Sequence, residues 1–154
     1  MRLRLLGVGR PKDPVLGGLH DRYSERIQRL GTDYSFAFVS EVAAGGRYSD
    51  EHVRERESQA LLDATGGNEV RIALDRTGSL WTSEEVAARL ERWSQPAAVF
   101  LIGGPLGPHR KLLTQSAATW SLSPLTLTHE WVRALATEQL YRALTLRRGL
   151  PYHK

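Results

Sequence analysis

Apolar and polar positions along the chain switch between two periods. Arg2–Gly9 (RLRLLGVG) has an apolar centre and predicts a strand. Asp13 then opens a helix with Val15, Leu16, Leu19, Tyr23 and Ile27 at helical spacing. Tyr34–Val42 (YSFAFVSEV) alternates and predicts a second strand. Asp50–Ala64 predicts a charged helix with Val53, Ala60, Leu61 and Leu62 as its apolar positions. Glu69–Leu74 (EVRIAL) predicts a third strand, closed by a turn at Asp75–Gly78. Thr82 and Glu85 form a capping box for a helix with Val86, Ala87, Leu90 and Trp93 on one face. Pro96–Ile102 (PAAVFLI) is continuously apolar, the pattern of a parallel strand buried on both sides. A short helix near 109–118, a brief strand at Trp120–Leu122 and a long helix from about His129 to Arg147 complete the series.

Strands separated by helices imply an α/β fold: a mostly parallel sheet of five to six strands with helices on both faces. Residues 1–154 are expected to form one domain without internal repeat or linker. The polar bend Ala43–Ser49 (AAGGRYS) reads as a surface loop near a ligand.

Composition narrows the chemistry. The chain has no cysteine, which excludes disulfides, thiolate metal sites and a cysteine nucleophile. Its five histidines show no metal-ligand spacing, so no metal site is expected. No apolar run approaches the roughly 20 residues of a membrane helix, and the start lacks the long apolar segment of a signal peptide. These features point to the cytoplasm and to no membrane partner. From Pro105 onward seven Arg/Lys face two acids, whereas residues 1–104 carry fourteen basic and fifteen acidic groups. The positive excess is therefore gathered at one end, as an anionic partner such as nucleic acid requires. An arginine-rich codon preference gives the same total, since 18 of the 21 basic residues are Arg, but does not predict the clustering.

Four segments could carry chemistry. Gly103–Gly107 (GGPLG) follows the buried strand, where glycines let backbone approach a ligand or simply let the chain reverse. It is neither a dinucleotide fingerprint nor a phosphate loop, and Gly7-Val8-Gly9 lacks the third glycine. Leu122–Thr128 (LSPLTLT) interleaves apolar and hydroxyl residues, suited to wrapping a flat ring or to making a buried connection. On the last helix Val132, Leu135, Ala136, Leu140, Ala143 and Leu144 form an inward face. Glu130, Arg133, Thr137, Glu138, Tyr141, Arg142, Thr145 and Arg148 fall outside it, with Arg133 and Arg142 as phosphate forks or as solvated charges. Tyr152-His153-Lys154 combines an aromatic ring with cations, a base-and-phosphate grip or a frayed end. His129 precedes the long helix as a cap or a titrating group.

Taken in order, LLGVGRPKD, IALDRTG (72–78), LIGGPLG, WSLSPLTLTH, WVRALATEQLYRA and GLPYHK resemble the ribosomal RNA large subunit methyltransferase H family, minimal members of the SPOUT methyltransferases. The resemblance spans essentially the whole chain. It implies an α/β sheet with a C-terminal trefoil knot, and S-adenosyl-L-methionine as cofactor. The family's cofactor positions fall on Leu74, Gly103, Gly104 and the loop Leu122, Ser123, Pro124, Leu125, Thr126, Leu127 and Thr128. It implies methylation of N3 of a pseudouridine in helix 69 of 23S ribosomal RNA, on assembled ribosomes, by a homodimer with the final helix in its interface. Arg133, Arg142, Tyr152, His153 and Lys154 would hold RNA, the tail reaching a composite site from the second subunit. His129, Glu138 and His153 are the candidates for the base that removes the N3 proton. One position departs: the family usually has proline before the loop histidine, and here Thr128 gives TLTH, either loosening the loop or capping the helix. Pro105-Leu106 is assigned no role. A SPOUT enzyme modifying another base, a non-catalytic RNA-binding or ribosome-associated module, and a small-molecule nucleotide enzyme are the competing readings.

Overall fold

The computed structural model describes residues 1–43 and 45–154. Five strands, β1 (Arg2–Val8), β2 (Asp33–Val39), β3 (Glu69–Leu80), β4 (Ala97–Ile102) and β5 (Ala118–Ser121), alternate with five helices. The helices are α1 (Pro14–Arg29), α2 (Asp50–Asp63), α3 (Ser83–Trp93), α4 (Arg110–Thr114) and α5 (His129–Arg147). All strand pairs are parallel, in the order β2-β1-β4-β3-β5. The bend expected at 43–49 includes Ala44, which lies outside the described residues.

Side-chain alternation explains the two-faced core. Ala98, Phe100 and Ile102 of β4 join α1, α3 and α5 in one cluster, with Trp120 and Ile72. Val99 and Leu101 join Leu6, Val8, α2 and α4 in the other. A strand covered on both faces has no polar side, hence the unbroken apolar run.

Start signals hold where side chains close the cap. Asp13 accepts from the N–H of Val15 (2.9 Å) and Leu16 (3.1 Å). The Thr82–Glu85 capping box is complete in both directions. Thr128 caps α5 by accepting from the Trp131 N–H, 3.4 Å away. Its φ of −65° is also the angle a proline would impose, so the loop keeps the proline-like path and gains a cap bond.

Three local expectations change. Val15 lies 78% exposed, and His20 is buried on α1 in its stead. The turn at Asp75–Gly78 is instead a continuation of β3, with its register against β5 shifted between Leu74 and Ser79. A Cβ at Gly78 would stand 2.6 Å from the Thr119 carbonyl oxygen, so only glycine lets the two strands pass there. On α5 the outward set is wrong for Arg133, Thr137 and Thr145, all of which are buried. The helix packs against both α1 and α3, so little of its girth faces water. The threonine hydroxyls donate back to the carbonyls of Arg133 (2.8 Å) and Arg142 (2.7 Å), which lets them enter a core.

His20 sits in a polar chain with Asp21 (3.0 Å) and with Tyr34, whose hydroxyl lies 2.8 Å from that of Thr137. Burial holds its imidazole below the ordinary 6.5, against the opposing bond to Asp21. The unfolded chain therefore binds more protons than the folded one in the window below pH 6.5. Stability is full above that value and falls as pH drops through the depressed pKa. Urea midpoints should decline below pH 6.5 in the native protein and decline less in His20→Gln; parallel curves would refute the assignment.

Candidate active site

Leu74–Thr77 of β3 and the carboxyl ends of β4 and β5 open on a cavity of about 320 Å³. Open parallel sheets present their loops there, and this volume falls in the range of small-molecule sites. Leu74, Ile102, Trp120, Leu122, Leu127 and Val132 give it apolar walls. Gly103–Pro108 and Ser123, Leu125 and Thr126 supply mostly backbone edges. Of the cofactor positions expected from the sequence, Leu74, Gly103, Gly104, Leu122, Ser123, Leu125, Thr126 and Leu127 converge on it; Pro124 and Thr128 do not line it.

Both loops are held from within. Gly107 donates to the Gly104 carbonyl at 2.9 Å, with φ of +83° at Gly107, closing a tight turn. Ser121 donates to the carbonyls of Arg76 (3.1 Å) and Ser123 (3.0 Å), and Leu125 N–H donates to the Ser123 hydroxyl at 3.1 Å. These bonds tie β3 and the 122–128 loop together around the cavity. Glycine is required at 103 by the protein's own backbone: a Cβ there would stand 2.8 Å from Pro108 N.

Several lining groups escaped the sequence reading. Asp75, Arg76 and Thr77 face the cavity because β3 continues past Leu74. The signal was an Asp followed two residues on by Thr; the Asp75 carboxylate accepts from Thr77 N–H at 3.1 Å and from its hydroxyl. Arg54 reaches the wall from α2, and Pro105-Leu106, given no role above, forms part of the lining. Long-range placements of this kind leave no local pattern.

Of the three candidate bases only His129 lines the cavity. Glu138 lies nine residues further along α5, roughly 13 Å by helical rise, too far for a proton within the same cavity. Its carboxylate is also engaged: one oxygen accepts from Arg142 at 3.1 and 2.7 Å and from the Tyr152 hydroxyl at 3.0 Å. The Glu138 carboxylate in turn holds the Arg142 guanidinium above its usual value. His153 pairs with Glu84, Nε2 to Oε1 at 2.9 Å.

The tail is docked. Tyr152 meets the Tyr23 hydroxyl at 3.1 Å, lies edge-on to Tyr141 and carries the Arg142 guanidinium 4.7 Å above its ring. Burial, with the bonds to Tyr23 and Glu138, pushes its phenol well above the usual range, so the ring stays neutral. Lys154 remains exposed at the end.

Arg133, expected on the outer face, is 5% exposed and stacks 5.0 Å above the Phe36 ring. Burial holds it below its ordinary value. Its Nε and one terminal nitrogen find no hydrogen-bond partner among the described residues, beside a small cleft shared with Gly9, Pro11, His129 and Glu130. No cluster of three or more His, Asp or Glu that could hold a metal occurs among the described residues. Among the described residues no helix is long and apolar enough to cross a membrane.

Fold and cavity thus define a parallel α/β protein with a candidate ligand cavity lined by the loops after β4 and β5. Residues 1–153 match the family model described as "Predicted SPOUT methyltransferase". Among similar proteins, the ribosomal RNA large subunit methyltransferase H of Anaeromyxobacter sp. (strain Fw109-5) is 38% identical over 156 residues, covering 100% of both chains. That of Chromohalobacter salexigens is 41% identical over 160 residues, again covering 100% of both. Two solved structures share the fold: a probable methylase family protein from Haemophilus influenzae Rd KW20 and a probable methyltransferase from Bordetella pertussis Tohama I. The first has TM-score 0.54 and 11% identity, over 99% of this chain and 70% of that one. The second has TM-score 0.52 and 16% identity, over 92% and 93%. The chain belongs to the SPOUT methyltransferase family, among relatives that carry the name ribosomal RNA large subunit methyltransferase H. It is a methyltransferase of a family whose members generally depend on S-adenosylmethionine.

Proposed function

We propose that the protein methylates N3 of a pseudouridine in helix 69 of 23S ribosomal RNA, on assembled ribosomes, with S-adenosyl-L-methionine as donor. The observation that carries this reading is the convergence of the GGPLG turn and the 122–127 loop on one cavity of sufficient size. Its residues fit the donor. Leucine, isoleucine and tryptophan walls suit an adenine ring, backbone groups of both loops suit its polar edges, and Asp75 offers negative charge to a cationic sulfur. Bound there, the donor supplies a methyl group already activated on a sulfonium. What remains for the chain is alignment, worth several kcal/mol, and exclusion of water.

His129 at the cavity wall is placed to take or relay the acceptor's proton. Arg142, Tyr152, His153 and Lys154 would grip RNA, whereas Arg133, 5% exposed with its two unmet donors closed off from solvent, lies too deep for a direct phosphate contact. The separation of Glu138, Arg142 and Tyr152 from the cavity of their own chain favours a homodimer, in which one subunit's tail completes the other's site. Val15 and Trp131, 78% and 46% exposed, stand near the starts of α1 and α5, which Glu130 joins by accepting from the N–H groups of Lys12 (2.8 Å) and Asp13 (2.9 Å). Covering them fits an interface along α5. The segment from β5 to α5 crosses the carboxyl ends of the sheet, and its threading past 103–109 would make the trefoil knot.

The test is a calorimetric titration with S-adenosylmethionine, with and without 70S particles, together with mass analysis of ribosomal RNA from a deletion strain. Donor binding and loss of one methyl in helix 69 are expected. A missing methyl elsewhere would indicate a different base, and absence of donor binding a non-catalytic RNA module.

A further inference from the structure

Glu57 is the least expected buried group in the molecule. It stands in the middle of the most charged helix, α2, yet it is 2% exposed. One carboxyl oxygen accepts from the Val42 N–H at 3.0 Å. The other has no hydrogen-bond partner among the described residues. It is pressed against the glycine turn: a Cβ built on Gly104 would collide with it, and would stand 3.3 Å from Val8 Cγ1. The next residue, Ser58, is also buried, and its hydroxyl accepts from the His109 N–H at 2.9 Å. Successive residues of α2 therefore support both ends of the 103–109 segment, one by contact and the other by a hydrogen bond.

The contact also changes what Gly104 means. A side chain at 104 would have to displace the Glu57 carboxyl, which occupies the space a Cβ would fill and does not itself line the cavity. Glycine at 104 and glutamate at 57 are two halves of one fitted contact.

We infer that Glu57 is a positioning residue of the donor site, setting the height of the GGPLG turn through its contact with Gly104. Burial pushes its carboxyl above the usual range, despite the Val42 bond, which suits an acid seated against backbone without a cation. The inference rests on the donor-site reading for its effect on binding, and on geometry alone for its effect on the turn. Reach matters more than charge. Glutamine keeps length and an acceptor for Val42, whereas aspartate keeps the acid but withdraws it by one methylene.

Amide exchange at Gly107, which donates to Gly104, and at His109, which donates to Ser58, reports the turn in the ligand-free full-length protein. Glu57→Asp and Glu57→Ala should speed exchange at Gly107 by about tenfold and weaken S-adenosylmethionine by a similar factor, with Glu57→Gln within about twofold of native. Gly104→Ala should weaken the donor about tenfold in the native background and much less in Glu57→Ala, because the methyl then has room. Native-like exchange in Glu57→Asp, or independent losses in the double variant, would overturn the assignment. If the native protein binds no S-adenosylmethionine, the donor-site reading fails while the exchange data still decide the positioning role.

Discussion

Replacing Gly103 by alanine should slow single-turnover methylation of ribosomes about a hundredfold, the loss expected for a displacement near 1 Å at a positioned site. The new Cβ would lie 2.8 Å from Pro108 N and 3.0 Å from Gly107 C. Both are backbone atoms of the turn that lines the cavity, so no side chain can swing aside and the turn itself must move. Donor affinity should fall with the rate, because the same backbone frames the donor. Gly18→Ala is the control. Nothing lies within 4 Å of a Cβ there, and in mid-helix the substitution should stabilise by about 0.5–1 kcal/mol and leave turnover unchanged. Native turnover in Gly103→Ala would place the chemistry elsewhere.

Deleting residues 151–154 should reduce methylation of ribosomes by at least about a hundredfold while donor affinity stays within about twofold. The deletion removes an aromatic ring, worth about 1–3 kcal/mol if it stacks on a base, together with the cations beside it. None of the four residues lines the cavity at the glycine turn. Their partners, Tyr23, Glu84, Glu138 and Arg142, lie on α1, α3 and α5, away from the glycine turn. Calorimetry for the donor and tritium transfer for the ribosome separate the two effects. Full activity without the tail would remove it from the RNA grip, and a parallel loss of donor affinity would make its role structural.

The docked tail is held by contacts that are individually weak. Glu138 holds Arg142, and Arg142 covers Tyr152. An i, i+4 ion pair on an exposed helix contributes only about 0.3–0.5 kcal/mol. Here it is part-buried and shared with a phenol, so one carboxylate holds a cation and a ring together.

Much of this was legible in the sequence. The caps at Asp13, Thr82 and Thr128 are local, since each needs only a side-chain oxygen two or three residues from an unpaired N–H. The unbroken apolar run of β4 announced a strand covered on both faces. The two loops with special residue types did converge. Illegible were the groups whose role depends on distant neighbours. Val15 matched the helical period but lies beyond the reach of the sheet, while His20 entered because Tyr34 and Asp21 were there to pair with it. Asp75–Gly78 carried every sign of a turn, and became strand because Gly78 lets Thr119 pass.

The sequence by itself determined the order of elements, the parallel sheet and the positions of the glycine and hydroxyl loops, because hydrophobic period and capping act within a few residues. Tertiary structure alone decided which charges would be buried. α5 packs against both α1 and α3, and α2 turns one face to α4 and the sheet, so Arg133 and Glu57 lie inside despite their polarity, one against Phe36 and the other beneath Gly104. Burial is a property of what surrounds a side chain, and surroundings gathered from residues about fifty to a hundred apart leave no trace in the local pattern.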